Sequence, residues 1–537
     1  MRLLFKSLIA ILMFGLGVAG SAWAQGCPQR PDFGTNVMDP LTLRSQNGTL
    51  QVALTLSEST DQFGYVHYCY VYDNNGKMVE APSLFLNPGD TLIMDITNAL
   101  SPDEPSQDPT PAIDRMDMTV RKPANLPVDD CNGGTVTEHT TNVHFHGLNV
   151  PPTCHRDDVI YTLIQPGDPT FEYKIQIPPN DPPGMYWYHP HPHGFATIQV
   201  NGGASGAIII GGTNGLDPDV AGLQARQLII RQQFLTGPWL AGPNQLTVNF
   251  QVSAPPNDPA PIIQMRPGQN QFWRVVNASS QAFLAFQVWF NSTPQPIELI
   301  SVDGVPLKKK IMVTTVHMVP AARAEFIVTA PPEGTTASLQ QVTFNTGPIG
   351  NPTPPQEVAR IVLTQDELKD LPVMPAVSTQ PTASYWADDL AYVKPTTQRK
   401  LYFSESAGGV NGPNNYYITV DGQRPHQFQV NEPPAIKTTI GSVEDWTIEN
   451  HALEDHAFHI HQLHFLVMAV DGKPVKEPFY ADMFLVHSWD GFGPFHSITV
   501  RMDFRHPGIA GTFVYHCHVL EHEDLGMMAK IEVDPQQ

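Results

Sequence analysis

Positive charge is scarce in this sequence. Only 30 Lys and Arg stand against 52 Asp and Glu, for a formal net charge of −22. That balance excludes nucleic acid and anionic membrane surfaces as partners and leaves neutral or cationic ones. Long apolar runs are missing after the first 24 residues, so the remaining chain has no candidate bilayer span. Cysteine is rarer still: Cys27, Cys69, Cys131, Cys154 and Cys517. What is plentiful is Pro (52) and Gly (40), a composition of many turns and short strands rather than helices.

The first 24 residues read as a secretory signal peptide, with Arg2 and Lys6, an apolar stretch, and Ala22-Trp23-Ala24 as the cleavage site. The expected location is periplasmic or secreted, and the mature chain is soluble with no membrane segment. Losing Arg2 and Lys6 moves the charge from −22 to −24 (−22 − 2). The roughly 513 remaining residues exceed one core and suit two to four domains. In an oxidising compartment, an odd cysteine count leaves one thiol over. The first four can form two disulfides in any of three pairings. Cys517 lies 363 residues beyond the nearest other cysteine (517 − 154), so something else must protect it.

A unit recurs three times: a turn glycine, an alternating apolar strand, and Asn nine residues after the glycine. The pairs are Gly89/Asn98, Gly268/Asn277 and Gly441/Asn450, with glycine spacings of 179 and 173 residues (268 − 89, 441 − 268). LTVNFQ (246–251) and ITVDGQ (418–423) echo each other ahead of the last two. Units of this size made of short strands are β-sandwiches or barrels. The expected domains are 25–212, 225–365 and 398–537, with a Pro-rich connector before the last.

Histidine carries the chemistry. Composition alone gives about 0.8 His-x-His patterns; the sequence has five. They lie in HFHG (His144, His146), YHPHPHG (His189, His191, His193), HAFHIHQ (His456, His459, His461) and YHCH (His516, His518). On a strand, residues two apart share a face about 7 Å apart. Four such pairs converging supply more imidazoles than one ion needs, but suit several. If His516 and His518 face one way, Cys517 faces the other and belongs to a second site. His522, Met527 and His456, the last an odd three positions before His459, are its available partners. Two histidines, a thiolate and a thioether form the trigonal set of electron-transfer copper, whereas structural zinc rarely recruits methionine.

These motifs resemble those of three-domain multicopper oxidases of the bacterial laccase-like class, across essentially the whole mature chain. The resemblance implies an all-β fold of three cupredoxin-like Greek-key sandwich domains and four copper ions. It implies a type 1 copper on His456, Cys517, His522 and Met527, and a type 2 copper on His144 and His459. The type 3 pair takes His146, His189, His191, His461, His516 and His518. The implied reaction couples four one-electron donor oxidations to reduction of O2 to two waters. Glu523 and Asp157 are the implied carboxylates for proton transfer and charge compensation, chosen over Glu521, Asp524 and Asp158. Two departures stand out in the third motif, where Ala457 and Gln462 replace the usual proline and glycine; in the first, Phe145 replaces a common tryptophan.

His193 reads as a supporting neighbour rather than a ligand, His317 as structural, and His426, His451, His464, His487 and His496 as loop or surface residues. A small phenolic or aromatic donor is the leading expectation. The rival is a metal ion, Cu(I), Mn(II) or Fe(II), which the negative charge suits but the scattered methionines do not. A non-catalytic cupredoxin-fold binding protein is the third possibility, opposed by the complete ligand set.

Overall fold

The structure, a computed structural model, describes residues 26–60, 66–102, 118–124, 126–233, 245–253, 259–375, 389–407 and 414–535. The predicted signal peptide therefore lies outside the described residues. Six sheets of five to seven strands pair off along the chain. Strands between residues 42 and 210 build the first two sheets, those between 224 and 363 the next two, and those between 397 and 534 the last two. Among the described residues, no helix is long and apolar enough to cross a membrane.

The three sequence repeats occupy one structural position. Thr91–Asn98, Asn270–Asn277 and Val443–Asn450 each pair in parallel with a strand at the start of their unit: Thr49–Thr60, the second strand of the first, and Gln224–Gln232 and Thr397–Ser406, the first strands of the others. Alternating apolar side chains of Thr91–Asn98 and Val443–Asn450 enter their cores. The repeated Asn then fastens the strand end. Asn98 donates to His139 and Ile164 carbonyls, Asn277 to those of Ala282, Met318 and Val319, and Asn450 to those of Glu454 and Val486. All three are buried, so these bonds satisfy loop carbonyls that would otherwise be stranded. The echo segments also correspond: each contributes to a strand antiparallel to the first strand of its unit.

Two disulfides, Cys27–Cys69 and Cys131–Cys154, select one of the three possible pairings and leave Cys517 free and buried. Arg323, from the middle unit, ties all three together. It donates to Met185 carbonyl in the first unit, Asp303 carbonyl in its own, and both carboxylate oxygens of Asp482 in the third.

Candidate metal centre

The histidine motifs meet where the first and third units face each other. His144–His146 is an edge strand whose His144 stands opposite His189 on Gly184–His189. In the third unit, His456–Ile460 pairs antiparallel with Gly511–Cys517, placing His459 opposite His516 and Phe458 opposite Cys517. Alternation along these strands sends His459, His516 and His518 to one side and Cys517 and His456 to the other. Rings from the two units interleave: His144 stacks on His461 with centroids 3.8 Å apart, and His146 on His459 at 4.1 Å.

The ligating atoms sort into compact groups, each within 4.8 Å: His146, His189 and His518; His191, His461 and His516; and His144 with His459 and His146. Four rings are fixed from behind by their Nδ1–H. His144 donates to Asp157, 3.0 Å from either oxygen; His189 to Pro190 carbonyl at 2.9 Å; His459 to Asp482 carbonyl at 2.8 Å; and His516 to Cys517 carbonyl at 3.0 Å. The opposite Nε2 of His144, His189 and His459 has no hydrogen-bond partner in the protein, nor has either ring nitrogen of His146 and His518. Each buried nitrogen left unpaired costs about 1–3 kcal/mol. Metal ions would satisfy one nitrogen of every such ring at once. Burial first, and neighbouring imidazoles after it, push His144, His146, His459, His461 and His518 well below the ordinary histidine value, and His189 down to about 3. Neutral imidazole is the ligating form.

The second group lies behind the strand. Cys517 Sγ is 3.6 Å from His456 Nδ1 and 3.8 Å from His522 Nδ1, and the two nitrogens are 3.2 Å apart. One ion at ordinary metal–nitrogen and metal–sulfur lengths, roughly 2.0 and 2.3 Å, fills such a triangle. Met527 is fully buried in the same core, and its carbonyl accepts from Cys517 N–H at 3.1 Å. Burial pushes the Cys517 thiol up to about 12, so a thiolate here requires a soft cation beside it.

The carboxylates divide by environment. Glu523 is fully buried, with Oε2 3.1 Å from His516 Nδ1 and Oε1 3.4 Å from His191 Nε2. Burial would raise it, but His191 and His516 outweigh that and hold it at about 2. Asp157 is instead pushed up to about 8 by burial, against opposing bonds from Phe145 N–H and Gln462. Asp524 caps the helix Ala196–Gly202, accepting from Ala196 and Thr197 N–H, and Asp158 accepts from Ile160 and Tyr161 N–H. Both bind backbone rather than the histidines. His193 stays outside the three histidine groups, its ring edge-on to Phe428.

One expectation is corrected. His464 is a loop residue but a buried one, not at the surface, and donates to Asp303 carbonyl at 2.9 Å beside the Arg323–Asp482 pair. Four residues escaped the sequence reading of roles: Gln462, Asp482, Glu405 and Glu454. Gln462 donates to Asp157 Oδ2 at 2.5 Å, and its only signal was a departure from the motif. Glu405 and Glu454 each lie 3.3 Å from the outer Nε2 of a histidine in the Cys517 group, His456 and His522 respectively.

Comparison with known proteins decides the family. Two models, each described as multicopper oxidase, match residues 116–215 and 395–537, the segments carrying the first pair and the last pair of histidine motifs. Both segments are multicopper oxidase domains. Its relatives include the multicopper oxidase mco of Staphylococcus aureus, 23% identical over 414 residues, or 74% of this chain and 77% of the relative. Among solved structures, the Campylobacter jejuni multicopper oxidase, described as a metallo-oxidase, superposes with a TM-score of 0.65 at 22% identity. That match covers 95% of this chain and 96% of the other. McoA of Aquifex aeolicus gives 0.65 at 19% identity over 93% and 99%. A laccase-like oxidase of Ochrobactrum sp. gives 0.61 at 19% over 93% and 100%. The oxidase is thus a copper-dependent oxidoreductase that uses O2 and a reducing substrate. The buried, neutral, tethered imidazoles and the Cys517 triangle fit copper.

Proposed function

We propose that this oxidase couples four one-electron donor oxidations to reduction of O2 to two waters, using four copper ions. One is held by His456, Cys517, His522 and Met527, one by His144 and His459, and two by the histidine triads. When bound, copper supplies one-electron chemistry at Cys517 and dioxygen reduction among the histidines. The observation that carries the reading is the two-sided strand. Cys517 faces one group, while its covalent neighbours His516 and His518 enter different triads of the other. The backbone therefore links donor side and oxygen side directly. Cys517→Ser should lose visible absorption and oxygen uptake together, with copper retained among the histidines; a copper-loaded variant keeping both would refute the scheme.

The two carboxylates have separate tasks. Glu523, held ionised between His516 and His191, offsets charge among the histidines. Asp157, raised by burial, is the group suited to hold and pass a proton near neutral pH. The two disulfides support an exported, oxidising setting, periplasmic or secreted.

For the donor, the carboxylates shift the preference from phenols to a low-valent metal ion. Glu405 and Glu454 hold the outer edges of both histidines in the Cys517 group. Burial and then the neighbouring Glu405 and Glu521 raise Glu454, and an incoming cation would relieve that repulsion. The same contacts raise ring basicity and favour the oxidised ion, suiting an easily oxidised donor. An aromatic donor is the second reading, favoured by Tyr416 stacked 4.1 Å from the His522 ring. Oxygen uptake with Cu(I), Fe(II), Mn(II), a simple phenol and a bulky aromatic amine separates the two. Glu405→Gln with Glu454→Gln should raise the metal-ion KM about tenfold and leave the phenol KM near its parent value. Faster phenol than metal turnover in the parent enzyme would reverse the preference.

A further inference from the structure

The histidine groups draw their members from the first and third units alone. The middle unit nevertheless reaches them through one buried side chain, Arg323. The middle copy of the repeated Asn presents it. Asn277 Nδ2 donates to the Met318 and Val319 carbonyls, and Ala321 N–H donates to the Asn277 carbonyl at 2.8 Å. Ala321 has φ +72°, a left-handed turn residue just ahead of the strand Arg323–Thr329. That strand pairs antiparallel with Asn270–Asn277, so the turn carrying Arg323 is held on both sides.

All five N–H groups of the guanidinium have an acceptor. Nε donates to Met185 carbonyl at 3.2 Å, on the strand that ends in His189. Nη1 donates to Ala321 carbonyl at 3.3 Å and Asp482 Oδ1 at 2.6 Å; Nη2 donates to Asp303 carbonyl at 2.9 Å and Asp482 Oδ2 at 2.5 Å. Asp482, also buried, meets a ligand ring with each of its two ends. Its carbonyl accepts His459 Nδ1–H at 2.8 Å, and its Oδ1 lies 3.6 Å from His146 Nε2. Those two rings, one from each outer unit, stack with centroids 4.1 Å apart.

We infer that Arg323 is a positioning residue for the histidine-bound copper: by gripping Asp482 it sets the orientation of His146 and His459. The inference rests on the copper sites proposed above among the histidines. A ligand ring binds its ion well only when the group behind it is fixed. A two-pronged arginine–carboxylate pair fixes both the place and the plane of Asp482. Without it, Asp482 is a buried carboxylate lacking its cation and turns toward other donors. Lysine would keep the charge but offers three donors on a flexible stem, too few for the acceptors present.

The test uses the full, copper-loaded chain. In Arg323→Lys, copper among the histidines should pass to a competing chelator at a roughly tenfold lower chelator concentration. The electron paramagnetic resonance splitting of the ion on His144 and His459 should shift, while the visible absorption of the Cys517 group stays at the parent value. Asp482→Asn should release copper to the same extent, and combining the two substitutions should add nothing, because both act through one contact. Where Arg323→Lys yields no folded protein, Asp482→Asn decides by the same readouts. A folded variant with the parent chelator threshold and splitting overturns the positioning role and leaves the copper sites standing. Equal loss of copper from the Cys517 group overturns it too, since Arg323 then holds only the fold. Parent protein that binds copper at the Cys517 group alone overturns both the inference and the reading beneath it.

Discussion

At the scale of single residues, Gln462 shows how a motif departure acquires a task. Its backbone has φ +62°, in the left-handed region where the family's motif has glycine. A non-glycine residue there costs of order 1 kcal/mol. Gln462 sets against that a buried bond to Asp157, whose carboxyl group also receives His144 Nδ1–H, and leaving such a buried partner unpaired costs about 1–3 kcal/mol. Gln462→Gly should therefore lower stability by about 1 kcal/mol in urea denaturation. Relief of backbone strain alone would raise it. The departure itself was visible in the sequence. Its partner was not, because Asp157 lies 305 residues away and meets Gln462 only through the packing of two units.

At the scale of elements, short strands aim the ligands and tight turns let neighbouring units approach. Gly147 ends the His144–His146 strand with φ +87°. A Cβ there would stand 2.5 Å from both Arg323 Nη2 and Asp482 Oδ2. Gly147→Ala therefore combines left-handed strain with a collision against a buried ion pair. We expect a loss of about 3 kcal/mol by calorimetry and a lower copper content, because His146 must shift with the turn. The strand positions of His144, His146, His459, His516 and Cys517 were legible from alternation, as were the three Gly–Asn strands, whereas His461 and His518 fall just past the ends of their strands. Arg323 gave no comparable signal, since one arginine in an apolar strand does not reveal that its partner is 159 residues later.

For the whole molecule, buried acids and buried histidines shape the response to pH in opposite senses. Asp181, buried against Asn149, is pushed up to about 7 by loss of solvent, and Asp39, buried beside Arg226, to about 6. Between pH about 4 and these values, the folded chain keeps protons that the unfolded chain has released. Stability from these groups thus falls as pH rises through that window and is level above it. The buried histidines act in the opposite sense, because they take up protons on unfolding below about pH 6.5 and so weaken the fold in acid. Asp181→Asn should remove its falling share of the slope and stabilise the enzyme at pH 8 by up to about 4 kcal/mol; an unchanged slope would locate that proton elsewhere.

What the sequence by itself determined was local: the ligand types, the side of the strand each faces, the Cys517 group apart from the other histidines, and three repeated β units. Those follow from covalent order and the two-residue period of extended chain, which need no tertiary contact. The tertiary structure alone decided the disulfide pairing and the division of six histidines into two triads. It also placed the carbonyl or carboxylate behind each anchored ring, and the glutamates at the edges of His456 and His522. The triads join residues of two units, which only the burial of one against the other brings together. The disulfides and the glutamates join separated residues within one unit, and two of the anchoring carbonyls, those of Pro190 and Cys517, belong to the next residue in the chain.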